Sequence, residues 1–228
     1  MTARRRINRR PRIVGVIASR ADLDRAVRMR RRPDLFELRL DRLASVVDRV
    51  ENLIPKLCKP LIITARHPSE GGAGKLGLRH RRDLLARFFD HANYIDVELR
   101  SAHALQPLFK SAENKNIGRI ISFHSFKSTP SVRILAAKAR EAKSCGADIF
   151  KVATRTDTPI ELGRLLEFMA NNRLNLALAV MGMGKLGAIS RVVLARAGSA
   201  LIYASMGKRS GVEGQLSLEQ LRALRFGP

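Results

Sequence analysis

The sequence predicts an α/β protein built as a single (β/α)8 TIM barrel, and three observations lead to this prediction. Eight short apolar runs, rich in strand-forming residues, recur at fairly even spacing along the 228 residues. Segments with helical periodicity separate these runs, and strict alternation of strand and helix is typical of a parallel sheet. Eight such units, with no sign of a second domain, favour a closed barrel over a doubly wound sheet.

The predicted strands and helices follow one another in order. The strands cover residues 13–18, 35–41, 61–66, 94–99, 119–124, 149–154, 175–181 and 200–206. Asp22 can cap a first helix that carries Leu23 and Ala26. Pro130 opens a later helix that ends at residue 143, with Gly146 just past its end as a C-cap. Helical periodicity also covers residues 43–57, 79–91, 157–171, 187–197 and 217–224.

The composition suits a chain that can bury a large core, since 45% of the residues are apolar and 28% are charged. The start of the chain differs, because six arginines lie within residues 1–12. We therefore expect a basic, disordered tail at 1–12, followed by the barrel domain at 13–228. The apolar stretch after the tail is too short for a signal peptide, and no run approaches the length of a membrane span. A cytoplasmic protein with no membrane partner is predicted.

The formal net charge of +23 makes nucleic acid a candidate partner. However, the basic residues past the tail are scattered over many predicted helix faces, and no aromatic residues are interleaved with them. A solvated, arginine-rich surface is the interpretation that we adopt, with an anionic substrate as a second inference.

Cysteine and glycine patterns exclude several kinds of site. Cys58 and Cys145 are far apart and form no CxxC, so we expect buried thiols in a reducing compartment. The histidines have no metal-ligand spacing, and no metal is expected. Residues 72–77 and 182–187 both match G-x-G-x-x-G, but neither lies in the strand–turn–helix context of a dinucleotide site. We expect mobile barrel loops at both places.

The run at residues 147–154 carries a single lysine, Lys151, among apolar strand-forming residues. Burying an ammonium group is costly, so the amine must reach solvent, pair with a carboxylate or lose its proton. A neutral lysine is a nucleophile that can form an imine with a ketone. From this run alone, a lysine that reaches solvent at a strand end is the simpler interpretation.

Other polar residues stand at the carboxyl ends of the predicted strands, where barrels carry their chemistry. Charges that point into a narrow barrel must neutralise each other or serve a ligand. Alternation places Glu37, Arg39 and Asp41 on one face of the second strand, and Asp96 and Glu98 are expected to take part in a structural ion pair. The further residues at this end are Arg66, His67, Glu70, His124, Lys151 and Arg191.

Six short motifs occur in order along the chain. They are Glu37-x-Arg39-x-Asp41, Arg66-x-x-x-Glu70-Gly71-Gly72, Ser122-x-His124-x-Phe126 with Thr129-Pro130, Asp148-x-x-Lys151-x-Ala153, Met183-x-Lys185-x-Gly187-x-x-Ser190-Arg191 and Gly214-Gln215. Each motif alone is weak, but together and in this order they form a specific signal. Over residues 13–225 the chain resembles the type I 3-dehydroquinate dehydratase family.

The resemblance implies a (β/α)8 enzyme that works as a homodimer without metal or cofactor. Its reaction converts 3-dehydroquinate to 3-dehydroshikimate in the shikimate route to aromatic amino acids. Lys151 would form an imine with the substrate, His124 would transfer protons, and Glu70 would orient and tune His124. The implied substrate-binding residues are Glu37, Arg39 and Arg66 around the hydroxyl groups, and Arg191 with Gln215 at the carboxylate.

The residue types suit this chemistry independently of the resemblance. A protonated imine on Lys151 is an electron sink that would hold the carbanion as an enamine. Imidazole has an unperturbed pKa of about 6.5, which suits His124 for taking a proton and returning one to the departing hydroxyl. The planar guanidinium of Arg191 matches a carboxylate in a bidentate contact.

Two departures from the family pattern bear on substrate affinity. The family usually has Ser-Ala-Pro-Gly-Gln where residues 211–215 read Gly-Val-Glu-Gly-Gln. A serine hydroxyl is thus absent at Gly211, with Ser210 as a candidate replacement, and Glu213 adds a negative charge. The first strand also lacks a serine that some members use near the substrate. We expect an active enzyme with lower substrate affinity.

Two other functions stay open from the sequence. Another lysine-dependent barrel, such as a class I aldolase acting on a phosphorylated keto sugar, would also need Lys151. The Glu70-Gly71-Gly72 and Ser122-x-His124 motifs argue against it. A basic nucleic-acid-binding module on a degenerate barrel would account for the net charge.

Overall fold

The computed structural model describes residues 10–207 and 211–224. Within these ranges eight parallel strands lie side by side in the order β7-β6-β5-β4-β3-β2-β1-β8. The strands are β1 (Arg12–Ile17), β2 (Leu35–Arg39), β3 (Leu61–Thr64), β4 (Tyr94–Glu98), β5 (Gly118–Ser125), β6 (Ile149–Arg155), β7 (Ala177–Met183) and β8 (Leu201–Ser205). The predicted (β/α)8 barrel is confirmed.

A helix follows each strand of the described chain. The helices are α1 (Arg20–Arg28), α2 (Val47–Leu57), α3 (Leu78–Arg87), α4 (Gln106–Asn114), α5 (Val132–Ser144), α6 (Pro159–Ala170), α7 (Gly187–Arg196) and α8 (Leu218–Ala223). Short helical turns at Leu40–Leu43 and Leu99–Ala102 directly continue β2 and β4. The sequence pattern did not predict α4, because only Phe109 and Ala112 of this helix are buried and a proline lies in its first turn.

Side chains at the helix starts explain where the helices begin. Ser19 caps α1 by accepting a 3.1 Å hydrogen bond from the backbone N–H of Asp22. The prediction that Asp22 caps this helix is therefore wrong, since Asp22 lies in the first turn. Gly146 follows the end of α5 with a φ of +89°, as its predicted C-cap role requires.

The barrel closes between β7 and β8 through a short set of contacts. The backbone N–H of Ala200 donates to the carbonyl of Leu178 at 2.7 Å. The Ser199 hydroxyl accepts from the backbone N–H of Val180 at 2.9 Å. All other neighbouring strands of the described chain are joined by a continuous parallel ladder. The Ser199 side chain therefore replaces part of the backbone hydrogen-bond ladder between β7 and β8.

The barrel interior is layered along the strands. Apolar side chains fill its amino-terminal part, including Val14, Leu35, Ile62, Ile120, Ile149 and Leu201. Side chains in a strand alternate between the two faces, so the next inward position is two residues further along. At that position stand Glu37, Thr64, Ser122, Lys151 and Tyr203, all of them buried. This second layer begins the polar end of the barrel.

Several predictions need correction or fall outside the described residues. Cys58 is exposed rather than buried, whereas Cys145 is buried, and both thiols are free. The predicted loop at 182–187 is wrong in part, because Gly182 lies within β7 and Gly187 begins α7. Of the predicted tail, residues 1–9 lie outside the described ranges, while Arg12 already belongs to β1. No helix among the described residues is long and apolar enough to cross a membrane.

Candidate active site

A cavity of about 330 Å³ opens at the carboxyl ends of the strands. All eight residues that the sequence assigned to catalysis or substrate binding line it. They are Glu37, Arg39, Arg66, Glu70, His124, Lys151, Arg191 and Gln215. Their convergence follows from the topology, because the carboxyl ends of parallel strands meet at one mouth of a barrel.

Lys151 lies in the middle of β6, and only 4% of its surface is exposed. Its Nζ atom donates to Oδ2 of Asp96 at 2.8 Å and lies 3.4 Å from Oε1 of Glu37. The same nitrogen sits 3.9 Å from the centroid of the Tyr203 ring. The lysine therefore pairs with carboxylates inside the barrel instead of reaching solvent at a strand end.

His124 and Glu70 form a hydrogen-bonded pair. Oε2 of Glu70 lies 2.9 Å from Nδ1 of His124 and also accepts the backbone N–H of His124 at 3.0 Å. Burial, and then the cations Arg66 and Lys151, lower the pKa of His124 well below its usual value. With Nδ1–H donated to Glu70, a neutral imidazole keeps Nε2 as a base.

Burial acts on Glu70 in the opposite direction. Burial, and after it the nearby Glu98 carboxylate, raise the pKa of Glu70 to about 7. A carboxyl group with this pKa is present in both its protonated and its ionised form near neutral pH. In its ionised form Glu70 accepts the Nδ1–H of His124 at 2.9 Å.

Asp96 holds the cations of the site together. Its Oδ2 accepts from Nη2 of Arg66 at 2.8 Å as well as from Lys151, and its Oδ1 accepts from the Ser122 hydroxyl at 2.6 Å. Although burial opposes ionisation, Arg66 and Lys151 hold the pKa of Asp96 well below its usual value. Asp96 and Glu98 both contact Arg66, at 2.8 Å and 3.2 Å, as the predicted structural ion pairs.

Arg191 lines the same cavity without taking part in this network of ion pairs. It is 3% exposed, and its Nη1 donates to the Tyr203 carbonyl at 3.3 Å and approaches the Met181 sulfur at 3.5 Å. Its Nε has no hydrogen-bond partner, and no carboxylate of the described residues pairs with the guanidinium. Burial alone lowers the pKa of Arg191 to about 10. A buried cation without a counter-ion is the expected form of an anion site before its ligand binds.

The second strand is shorter than predicted and ends before Asp41. Because β2 ends at Arg39, Asp41 lies in the following helical turn and does not share the face of Glu37. Its carboxylate instead receives Nε and Nη2 of Arg39, at 3.0 Å and 2.9 Å. Burial raises the pKa of Asp41, but the Arg39 hydrogen bond and backbone N–H donors outweigh this effect and lower it. Asp41 therefore positions Arg39 at the cavity wall.

Three residues that depart from the family pattern, Gly211, Val212 and Glu213, can be placed relative to the cavity. Gly211 and Val212 line the cavity, so an apolar side chain stands beside the place of the missing hydroxyl. Glu213 points elsewhere, since its carboxylate lies 3.8 Å from Nη2 of Arg155. Ser210, the candidate replacement, lies outside the described residues. Ser19, which follows β1, lines the cavity and was not predicted to do so.

Sequence reasoning missed other parts of the site. Tyr203 and Met181 line the cavity, but they lie in runs that read as plain apolar strands, and Met183, which also lines it, fell in the predicted loop at 182–187. Their inward alternation with Ala179 and Leu201 is the signal that could have found them. No group of His, Cys, Asp and Glu within residues 10–207 and 211–224 has the arrangement of a metal site.

Comparison with known proteins gives a consistent result. The family model of type I 3-dehydroquinase matches residues 15–226. The 3-dehydroquinate dehydratase of Thermodesulfovibrio yellowstonii is 33% identical over 192 residues, which are 82% of this chain and 82% of that protein. The enzyme of the same name from Pyrococcus abyssi is 33% identical over 195 residues, 84% and 86% of the two chains. The crystal structure of 3-dehydroquinate dehydratase from Geobacillus kaustophilus HTA426 matches with a TM-score of 0.83 and 28% identity, covering 94% of this chain and 89% of that chain.

Proposed function

Because the chain belongs to the type I 3-dehydroquinase family, we propose that it eliminates water from 3-dehydroquinate to give 3-dehydroshikimate through an imine on Lys151. One observation carries the proposal. A buried amine, a hydrogen-bonded His124–Glu70 pair and an Arg191 without a carboxylate partner among the described residues line the same cavity. An amine suits the ketone of the substrate, the imidazole suits the proton next to it, and the guanidinium suits the carboxylate.

The first step uses Lys151 as the nucleophile. Its nitrogen gives up one proton and adds to the ketone carbon. The former ketone oxygen takes up that proton and a second one from the nitrogen and leaves as water, which gives the protonated imine. Asp96 hydrogen-bonds this nitrogen at 2.8 Å, so a carboxylate is in place to stabilise the positive charge. The imine nitrogen then serves as the electron acceptor for the next step.

His124 carries the proton transfers that follow. Its Nε2 takes a proton from the carbon next to the imine, and the electron pair moves to the nitrogen as an enamine. When the pair returns, the hydroxyl group leaves with a proton from His124 as water. A further water hydrolyses the product imine and frees Lys151. Glu70 holds the imidazole through the 2.9 Å contact at Nδ1.

Substrate binding would divide between two sides of the cavity. Arg191, with Gln215 nearby, would receive the carboxylate, because its charge is buried without a carboxylate partner among the described residues. Glu37, Arg39 and Arg66 would face the hydroxyl groups. The nucleophile thus meets the ketone with both ends of the substrate held.

The reaction would serve the shikimate route to aromatic amino acids, and it would take place in the cytoplasm. The protein would work as a homodimer, which sedimentation of the purified chain can test directly.

Borohydride reduction in the presence of 3-dehydroquinate, followed by intact-mass measurement and peptide mapping, tests the proposal. We expect one stable adduct on Lys151, which is lost in Lys151→Ala. Lys185→Ala is the matched control, because Lys185 is exposed and does not line the cavity. Folded wild-type protein that gives no adduct, or an adduct on another lysine, would contradict the imine mechanism. Formation of 3-dehydroshikimate, followed separately, tests the overall reaction.

A further inference from the structure

Glu98 ends β4 and is completely buried, yet it does not line the cavity. Its Oε2 accepts from Nη1 of Arg81 at 2.7 Å. Its Oε1 accepts from the backbone N–H of His67 at 2.8 Å and from Nη1 of Arg66 at 3.2 Å. One carboxylate therefore connects the outer helix α3, the strand β4 and the loop that follows β3.

Arg81 reaches this carboxylate from α3 and is itself 2% exposed. Its Nη2 donates to the Ser101 hydroxyl at 3.0 Å, in the helical turn that continues β4. A charged side chain is costly to bury, so its position is fixed by the groups that it pairs with. The Arg81 guanidinium is thus clamped between Glu98 and Ser101.

The contact to His67 leads to the hydrogen-bonded pair of Glu70 and His124. The carbonyl of His67 accepts the N–H of Glu70 at 2.9 Å and that of Gly72 at 3.0 Å, which closes the turn that carries Glu70. Glu70 then contacts His124. A single tight turn separates the Glu98 carboxylate from the groups that transfer protons.

Charges around the pair come from several elements. Glu70 is influenced by Glu98, Arg66 and Arg100, of which only Glu98 favours its protonated form. His124 is influenced by three cations, Arg66, Lys151 and Arg39, and by the carboxylate of Asp96. Loss of the Glu98 charge should therefore shift the balance at the pair, and loss of the opposite charge of Arg81, which contacts Glu98 at 2.7 Å, should shift it the other way.

We propose that Glu98, held by Arg81, is a positioning residue that fixes the 67–70 turn and sets the electrostatic balance for proton exchange at His124. The inference rests on the proposed function, in which His124 moves the protons. If Glu98 merely paired with the two buried arginines, its substitution would change the free energy of unfolding but not the proton affinity of the Glu70–His124 pair.

Two substitutions of opposite charge test this proposal. Glu98→Gln keeps an oxygen for the His67 N–H but removes the negative charge, so the pair should release its proton more readily. Arg81→Gln removes the positive charge, so the pair should hold its proton more tightly. The midpoint of the pair is the pH at which the Glu70–His124 pair is half protonated. We expect it to move by about half a pH unit, a change of about threefold in proton affinity, downward in Glu98→Gln and upward in Arg81→Gln.

The midpoint is measured in two ways, from the ¹⁵N shifts of the His124 imidazole and from the acid limb of the kcat profile against pH. Arg81→Lys restores the charge and should return the midpoint toward the wild-type value. Arg82→Gln is the matched control, because it removes one charge from an exposed position of the same helix and should leave the midpoint unchanged.

Shifts in opposite directions would support the proposal. Unchanged midpoints in both variants, or shifts in the same direction, would overturn it, even if urea denaturation shows a lower free energy of unfolding. The NMR midpoint needs no substrate. If wild-type protein forms no 3-dehydroshikimate, the dehydratase proposal fails, while the midpoints still decide the role of Glu98.

Discussion

Lys151 and Asp96 form a buried ion pair, with the lysine nitrogen 2.8 Å from Oδ2 of the carboxylate. The same oxygen receives Arg66 at 2.8 Å, so one carboxylate serves two cations. The nitrogen also contacts the face of the Tyr203 ring, and an aromatic face attracts a cation. The amine is therefore held in place before any substrate enters, which is a form of preorganisation.

Asp96→Asn should destabilise the protein, because it leaves Arg66 and Lys151 with uncompensated buried charge. We expect the free energy of unfolding to fall by about 3 kcal/mol, with a loss of activity, measured by urea denaturation and by substrate turnover. Asp90→Asn is the control, since Asp90 pairs with Lys115 at the surface and should give no measurable change. Equal stability of the two variants would contradict a structural role for the Asp96 charge.

Arg191→Met should weaken substrate binding without lowering the free energy of unfolding. The substitution removes a buried cation that has no carboxylate partner among the described residues, so the free energy of unfolding should stay the same or rise. The substrate would lose a charge-assisted contact, and KM should rise about 100-fold. Arg140→Met, at an exposed position of α5, should change neither quantity. A wild-type KM in Arg191→Met would exclude Arg191 as the carboxylate site.

Gly214→Ala should disturb the loop that carries Gln215. Gly214 has a φ of +78°, and an added Cβ would lie 2.6 Å from the Cα of Gly187, the first residue of α7. We expect a free energy of unfolding lower by about 1–3 kcal/mol and a higher KM, because both Gln215 and the helix of Arg191 would move. Gly163→Ala, where nothing lies within 4 Å of the new atom, should instead stabilise α6 by about 0.5–1 kcal/mol. Similar effects of the two substitutions would contradict this account of the loop.

Glu70→Gln should change how stability depends on pH. The pKa of Glu70 is raised from 4.5 to about 7 in the folded protein, so the unfolded chain binds fewer protons between these values. The free energy of unfolding therefore contains a contribution that is lost as pH rises from 4.5 to 7. Relative to Glu70→Gln, wild-type protein should lose about 1–3 kcal/mol across this window, measured by urea denaturation at a series of pH values.

The lowered pKa of His124 acts in the opposite sense, because stability from this group is lost as pH falls below its usual value of 6.5. Both proteins contain His124, so the difference between them reports mainly on Glu70. Glu167→Gln, at an exposed position of α6, should follow the wild-type curve. Parallel curves for wild type and Glu70→Gln would contradict the raised pKa.

The strands and the cavity residues could be predicted because they repeat a simple pattern. A parallel strand that is buried on both faces reads as a short apolar run, and a polar residue within it stands out. Glu37, Lys151 and His124 are visible for this reason. Their meeting in one cavity follows from barrel topology without further information.

Residues that obey the local pattern could not be singled out. Tyr203 fits an apolar strand: alternation with Leu201 points it into the barrel but does not show that its ring lies against Lys151. Arg81 lies in a helix with several arginines, where periodicity alone does not show which one turns inward; the partner that draws it in, Glu98, is distant in sequence. The end of β2 was placed too late because Asp41 continues the alternation for two residues into a helical turn.

The joint between β7 and β8 should respond to whether the cavity is occupied. Within the described chain, the other strand neighbours share a ladder, whereas this joint relies on Ser199 and the Ala200–Leu178 hydrogen bond. Arg191 lies across the same joint, since its Nη1 contacts Met181 of β7 and Tyr203 of β8. An anion bound to Arg191 should therefore also hold β7 and β8 together. Backbone amides along this joint should then exchange with deuterium more slowly when the cavity is occupied.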